Sequence, residues 1–255
     1  MEYIQSFTYS GLWNKYNVCW NDINKDVNIL VGINGKGKTT LLNAINDYYN
    51  ANKAGKSIAK QIEATPLDSP VVYITSADVP VNVKKKANSP LYENLMRVVL
   101  QNEKQDSFFN YRMRALNYPD EAKRISERID ILFHEIDSYF AQTGKNISIH
   151  KDRNVLVFNE LSGHTIELEM LSAGEKQLLY ILLTVFLMDE KPAVLLMDEP
   201  ELSLHIEWQE KLVKSIRKLN PSCQVILTTH SPSIFVSGWE SKLVYIEDLF
   251  SPITK

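Results

Sequence analysis

Residues 27–39 read Val27-Asn28-Ile29-Leu30-Val31-Gly32-Ile33-Asn34-Gly35-Lys36-Gly37-Lys38-Thr39, an apolar run that gives way abruptly to glycine and lysine. The first five residues predict a buried strand. The next eight fit the spacing GxxxxGK[ST], in which glycines let backbone N–H groups turn inward around phosphate oxygens. Beyond them Leu41, Leu42, Ile45, Tyr48 and Tyr49 fall on one face of a helix. The N-terminus of that helix adds its partial positive charge to the cradle. Lys38 is expected to reach the β and γ phosphates of a nucleotide, and the Thr39 hydroxyl to hold Mg2+. A chance glycine turn would not come flanked by a buried strand and an amphipathic helix, so the unit points to an α/β fold.

Three later segments carry chemistry in a matching order. Ala193 to Pro200, AVLLMDEP, is an apolar strand ending in two carboxylates. Asp198 is expected beside the phosphate loop, orienting Mg2+ through water, and Glu199 to polarise an attacking water as general base. Alone, such acids would be read as a solvated strand end; the phosphate loop upstream argues otherwise. Leu171-Ser172-Ala173-Gly174-Glu175-Lys176-Gln177 opens a strongly apolar helix, and Ser172 with Glu175 predicts a capping box. His230 follows the buried run QVILTT. His134, His150 and His164 lack such a setting and are read as structural.

The ordered set resembles the ABC ATPase superfamily, whose signature is LSGGQ-like, over most of the chain. The resemblance implies a P-loop ABC-ATPase core in which the signature of one subunit closes over ATP held by the other. Asn34, Gly35, Lys36, Gly37, Lys38, Thr39 and Thr40 would then bind the nucleotide within one chain. Ser172, Gly174 and Glu175 would do so from the partner of a homodimer, with higher assemblies of dimers open. Thr39 and Asp198 would serve the metal, and Lys38, Glu199 and His230 catalysis, His230 as the family's switch histidine. Ser203 and His205 would lie near the subunit interface. The segment Asp198–His205, DEPELSLH, departs from the transporter pattern DEPTSALD and looks like the branch of RecF-like, SMC-type and OLD-type ATPases. A Q-loop glutamine is not evident: Ser76, Ala77 and Asp78 follow the VVYIT strand, and Gln61 precedes it.

Composition bounds the rest. With 255 residues, 44% hydrophobic and 23% charged, the chain suits one α/β domain spanning 1–255 with an embedded, mostly helical insert at 80–145. A net charge of −3 gives no global attraction to nucleic acid. Cys19 and Cys223 are expected as two buried, reduced thiols. MEYIQSFTYS lacks a signal peptide's pattern, and the longest apolar run, Leu178–Met188, is short of the ~20 residues of a membrane span. A cytoplasmic protein with no membrane contact is expected.

Around the motifs, EYIQSFTY and VCW predict strands, 51–70 a loop, 87–143 helix stopped by Gly144, and NISIH, NVLVF and HTIELEM a small antiparallel sheet. From Lys84 to Arg128 ten Lys and Arg stand against six Asp and Glu, including Lys84-Lys85-Lys86. This is either a docking surface for nucleic acid or an acidic partner, or a solvated helical face. Phe108, Phe109 and Tyr111 are read as core. The architecture expected is an α/β core with an N-terminal antiparallel β portion and a helical insert. Resemblance to OLD-type and Septu-type systems implies an ATPase that controls a separate effector, a nuclease foremost, in phage defence or DNA repair. The alternatives are the nucleotide-binding subunit of a membrane transporter and a clamp that binds ATP without turnover.

Overall fold

A computed structural model describes residues 1–12, 16–50, 62–75, 89–100 and 106–252. The continuous apolar runs become parallel strands: β3 (Val27–Val31), β5 (Val71–Ile74), β9 (Ala193–Asp198), β10 (Cys223–Thr228) and β11 (Leu243–Tyr245). They form one sheet in the order β11-β3-β10-β9-β5. Strands buried on both faces carry apolar residues on both, which explains the absence of alternation; the buried Asn28, Gln224 and Thr228 are hydrogen-bonded instead. Ile29, Leu195, Met197, Val225 and Leu227 pack toward the helices α5 (Ala173–Leu187) and α6 (Ile206–Leu219). Leu30, Val194, Leu196 and Ile226 pack on the other side, with Leu41, Leu42 and Ile45 of α1 (Lys38–Tyr49). Each fully buried side chain contributes roughly 1.5–3 kcal/mol of transfer free energy.

That second core is closed by an antiparallel sheet in the order β12-β2-β1-β4: β1 (Phe7–Leu12), β2 (Tyr16–Trp20), β4 (Ile62–Ala64) and β12 (Phe250–Pro252). Three expectations change here. Residues 2–6 do not join a strand, because other groups take their backbone: the Gln224 side chain bonds Ile4 N and Ile4 O at 2.8 Å each, and Thr65 Oγ1 accepts from Gln5 N and Ser6 N. The stretch read as loop contains β4, whose three residues pair with Phe7–Tyr9 and are too short to show a period. Cys19 is exposed rather than buried; Cys223 is buried, and desolvation raises its thiol to about 12.

The insert supplies α2 (Pro90–Val99), α3 (Phe108–Asn117) and α4 (Ala122–Phe140), then the antiparallel sheet β6 (Lys145–Ile149), β7 (Leu156–Glu160) and β8 (Thr165–Glu167). Ser89 and Ser107 cap α2 and α3, and Gly144 turns the chain out of the last helical turn at φ 65°. Phe108 and Tyr111 are core, while Phe109 is only partly buried. Of the cations expected on an open face, three are committed internally. Arg114, Arg124 and Arg128 converge on the buried Asp189 just past α5, at 3.6, 2.7 and 3.4 Å. Lys84–Lys86 and Lys104 lie outside the described residues, as do Ser76, Ala77, Asp78 and Gln61. No helix among the described residues is long and apolar enough to cross a membrane.

Candidate active site

The phosphate loop is built where β3 runs into α1. At Gly32 a Cβ would stand 2.5 Å from the Ile246 side chain and 2.8 Å from Glu247 Oε2, so only glycine fits there. Gly35 and Gly37 hold φ of 78° and 96°, and Gly37 caps α1 in the left-handed region. Lys38 is buried along its stem, and its ammonium donates to Gly32 O at 2.9 Å and Ile33 O at 3.4 Å. Desolvation pulls its pKa below the usual lysine value, opposed by the negative charges of Glu199 and Asp198.

The two carboxylates come from the end of β9, the strand beside β10 in the sheet. Asp198 Oδ1 accepts hydrogen bonds from Thr39 Oγ1 at 3.0 Å and Thr228 Oγ1 at 2.7 Å. Glu199 turns out of the strand at φ 47°, with its N–H donating to Thr228 O and Oγ1 at 3.2 and 3.1 Å. A non-glycine residue in the left-handed region is held there by its surroundings at a conformational cost. Its carboxylate lies 3.2 Å from His230 Nε2. Asn34, Gly35, Gly37, Lys38, Thr39, Thr40, Glu199 and His230 line one cleft of about 270 Å3; Lys36 is exposed beside it.

The signature residues are not brought into that cleft. Ser172 Oγ accepts from Glu175 N at 3.2 Å while Glu175 Oε2 accepts from Ser172 N at 2.8 Å, the expected capping box. Lys145 of β6 donates to the other oxygen of Glu175 at 2.7 Å. The Glu175 pKa is lowered: burial raises it, but the Lys145 and Ser172 hydrogen bonds outweigh that. Ser172 and Ala173 are exposed, and so are Ser203 and His205. At Gly174 a Cβ would meet Ser203 O at 2.2 Å, so the signature helix abuts the 201–204 turn through bare backbone. His134 Nδ1 contacts Asp130 O at 2.7 Å, and His150 Nδ1 accepts from Asp152 N and Arg153 N, local contacts outside the cleft.

Sequence reasoning missed Thr228, Thr229, Glu201 and Glu247. Glu201 Oε1 accepts from Thr229 Oγ1 at 2.6 Å and His230 N at 2.8 Å, and Glu247 Oε1 approaches Ile33 N at 3.4 Å. The signal for the first two was a pair of threonines at the end of a fully buried strand, where polar side chains need partners. A further acid in DEPE looks like a solvated loop residue, and nothing local marks Glu247.

The cleft suits a nucleotide carrying a hard divalent ion. The hydroxyl of Thr39, which lines it, and the carboxylate of Asp198 form an oxygen pair 3.0 Å apart. No cluster of three or more His, Cys, Asp or Glu among the described residues could hold a metal alone. The Thr39 and Asp198 oxygens are a donor pair suited to Mg2+, which takes one or two protein oxygens and completes its shell with phosphates and water.

A protein-family profile described as "AAA domain, putative AbiEii toxin, Type IV TA system" matches residues 73–237, more than half of the chain. Septu protein PtuA of Bacillus thuringiensis is 22% identical over 282 residues, 88% of this chain and 70% of that protein. The Retron Vc95 probable ATPase of Vibrio cholerae serotype O1 biovar El Tor is 26% identical over 215 residues, 80% of this chain and 38% of that protein. Among solved structures, the SmcHead bound to the C-winged helix domain of ScpA aligns with TM-score 0.57 at 13% identity, covering 92% of this chain and 91% of that one. Stu0660 of Streptococcus thermophilus aligns with TM-score 0.55 at 14% identity, covering 98% and 76%. The solved structures share the fold, and the chain belongs to the AAA-domain family that the profile describes, as a P-loop ATPase.

Proposed function

We propose that the chain binds ATP with Mg2+ in the cleft, hydrolyses it as a homodimer closed over the nucleotide, and so controls a separate effector in phage defence. One observation carries the reading. Glu199 and His230 meet at 3.2 Å on a cleft lined by Lys38, while the exposed Ser172 of the same chain lies outside it, capping its own helix. A second subunit is the natural source of the missing wall.

Each residue then has a defined task. The Lys38 ammonium, held in place by the Gly32 and Ile33 carbonyls, exchanges them for phosphate oxygens. Thr39 and Asp198 would hold Mg2+, which when bound neutralises charge developing on the phosphates. The Thr228 hydroxyl keeps Asp198 turned toward Thr39. Glu199 takes the proton of the attacking water, and His230 Nε2 orients its carboxylate. From the partner, the Ser172 hydroxyl and the N–H groups at the start of α5 would close over the γ-phosphate, excluding water. The resemblance to Septu-type systems implies a nuclease as effector, and the match to Septu protein PtuA supports that resemblance.

The test is the ATPase rate per subunit against protein concentration, with mass photometry in ATP and without nucleotide. A rate that climbs with concentration, ATP-dependent dimers, and loss of both in Ser172→Arg are expected. A concentration-independent rate from a strict monomer would overturn the dimer mechanism. Co-purification of a soluble nuclease is expected; an integral membrane protein in its place would favour the transporter reading.

A further inference from the structure

Glu201 is 7% exposed and lies outside the cleft's lining, yet it touches the loop that carries His230. Its Oε1 accepts the His230 backbone N–H at 2.8 Å and the Thr229 hydroxyl at 2.6 Å. Its Oε2 is buried with no hydrogen-bond partner. A buried carboxylate with an orphaned oxygen is unfavourable, and its retention calls for a role.

The same residue also closes a turn. Its carbonyl accepts from Leu204 N at 2.9 Å and from Gln209 Nε2 at 3.5 Å, and Gln209 Nε2 donates to Leu204 O at 2.9 Å. Gln209 Oε1 accepts the Ser231 hydroxyl at 2.5 Å. The Glu201 carboxylate and the Gln209 amide therefore brace one short turn to two adjacent residues, His230 and Ser231. Ser203, at φ 68° in that turn, presents the carbonyl that stands against Gly174. This turn, which exposes only Ser203, is thus fastened to the signature helix on one side and to the histidine loop on the other.

We infer that Glu201 is a positioning residue for ATP hydrolysis: its carboxylate ties the 201–204 turn to His230, so that displacement of the turn at the dimer surface shifts the imidazole that orients Glu199. The inference rests on the roles proposed above for Glu199 and His230. A turn that merely stabilises the fold would leave those roles untouched.

The experiment uses the full chain in two arms. The first follows amide hydrogen exchange at His230 in Glu201→Ala and Glu201→Gln. Exchange about tenfold faster is expected in the alanine variant, and near-normal exchange in the glutamine variant, whose amide oxygen still accepts both donors. The second measures steady-state ATPase for Glu201→Ala, His230→Ala and the double variant. Glu201→Ala should lower kcat about 10- to 100-fold with KM within about twofold, and Glu201→Gln should restore most of the rate. In the His230→Ala background, Glu201→Ala should cost less than about twofold more, because it acts through that histidine. Unchanged exchange at His230, or losses that multiply in the double variant, would overturn the inference. If His230→Ala alone kept the normal kcat, the proposed role of His230 would fall and the catalytic purpose of Glu201 with it. The exchange arm would show separately whether the brace itself exists.

Discussion

The cleft at the end of β3 and the signature helix α5 are the two polar regions that the resemblance assigns to one nucleotide site, and they are built on opposite plans. Around the cleft, donors and acceptors surround open space: the Lys38 ammonium rests on two carbonyls, and Glu199 is held in a left-handed turn. Along α5 the charges are already paired inside the chain. Lys145 holds Glu175 at its start, and Arg114, Arg124 and Arg128 hold Asp189 beyond its end. The first region is arranged for a ligand that brings its own charge. The second behaves as a finished, rigid piece that offers an exposed serine to a neighbour. Open donors and acceptors belong where a ligand enters, and paired charges where a surface must be carried intact.

The comparison can be broken first at Glu199. Glu199→Gln should lower kcat about 10²- to 10⁴-fold, roughly 3–5 kcal/mol in barrier, while ATP still binds and the closed dimer accumulates in mass photometry. A normal rate would remove the general base from the cleft.

Next in size is the clamp on α5. Asp189→Ala takes one of two carboxylates from the buried Arg128, with Glu190 still paired to it at 2.5 Å, and should cost about 2–3 kcal/mol in urea unfolding; that remaining pair and the half-exposed Arg124 lower the expectation from the full value for a broken buried pair. ATP affinity should hold, since the clamp lies outside the cleft. Burial raises the Asp189 pKa, but the hydrogen bonds of Arg124 and Tyr111 and the nearby guanidinium charges lower it further, to a net value below the ordinary 3.8. The folded-state value is therefore depressed, and the stabilisation is present above the ordinary value and lost as pH falls through the depressed one. Acid titration should show that loss in the natural chain and a flatter profile in Asp189→Ala.

Gly174→Ala probes the seam between the regions. Its Cβ would meet a backbone carbonyl at 2.2 Å, so a loss of about 1–3 kcal/mol in thermal or urea unfolding is expected. A neutral result would mean that the helix and the turn are not held together. Ser172→Ala sharpens the contrast with the smallest effect, about 1 kcal/mol from the lost cap. Ser172→Gly should cost only a few tenths of a kcal/mol. A rate loss in these variants far beyond their stability loss would mark the work of Ser172 in the partner's site.

What was legible in the chain was whatever a period or a neighbour encodes. β3, β9 and β10 announce themselves as apolar runs, α1 by its one-sided leucines, and the capping box by Ser172 three residues before Glu175. What was not legible depends on partners far along the chain. Residues 2–6 look like a strand until Gln224, 220 positions away, takes Ile4's backbone groups. β4 exists only because β1 lies beside it. Arg114, Arg124 and Arg128 read as an open basic face until Asp189 is found 61 to 75 residues later.

The same division runs through the site. By itself the sequence determined that β3, the glycine loop and α1 form a phosphate cradle, because backbone freedom and charge there are local properties. Only the tertiary structure decided that Thr228 would orient Asp198, that Glu201 would hold His230, and that Ser172 would stand away from the cleft. Those facts depend on which strand ends lie side by side, and strand order is settled by burying apolar surface over the whole sheet rather than by any one segment.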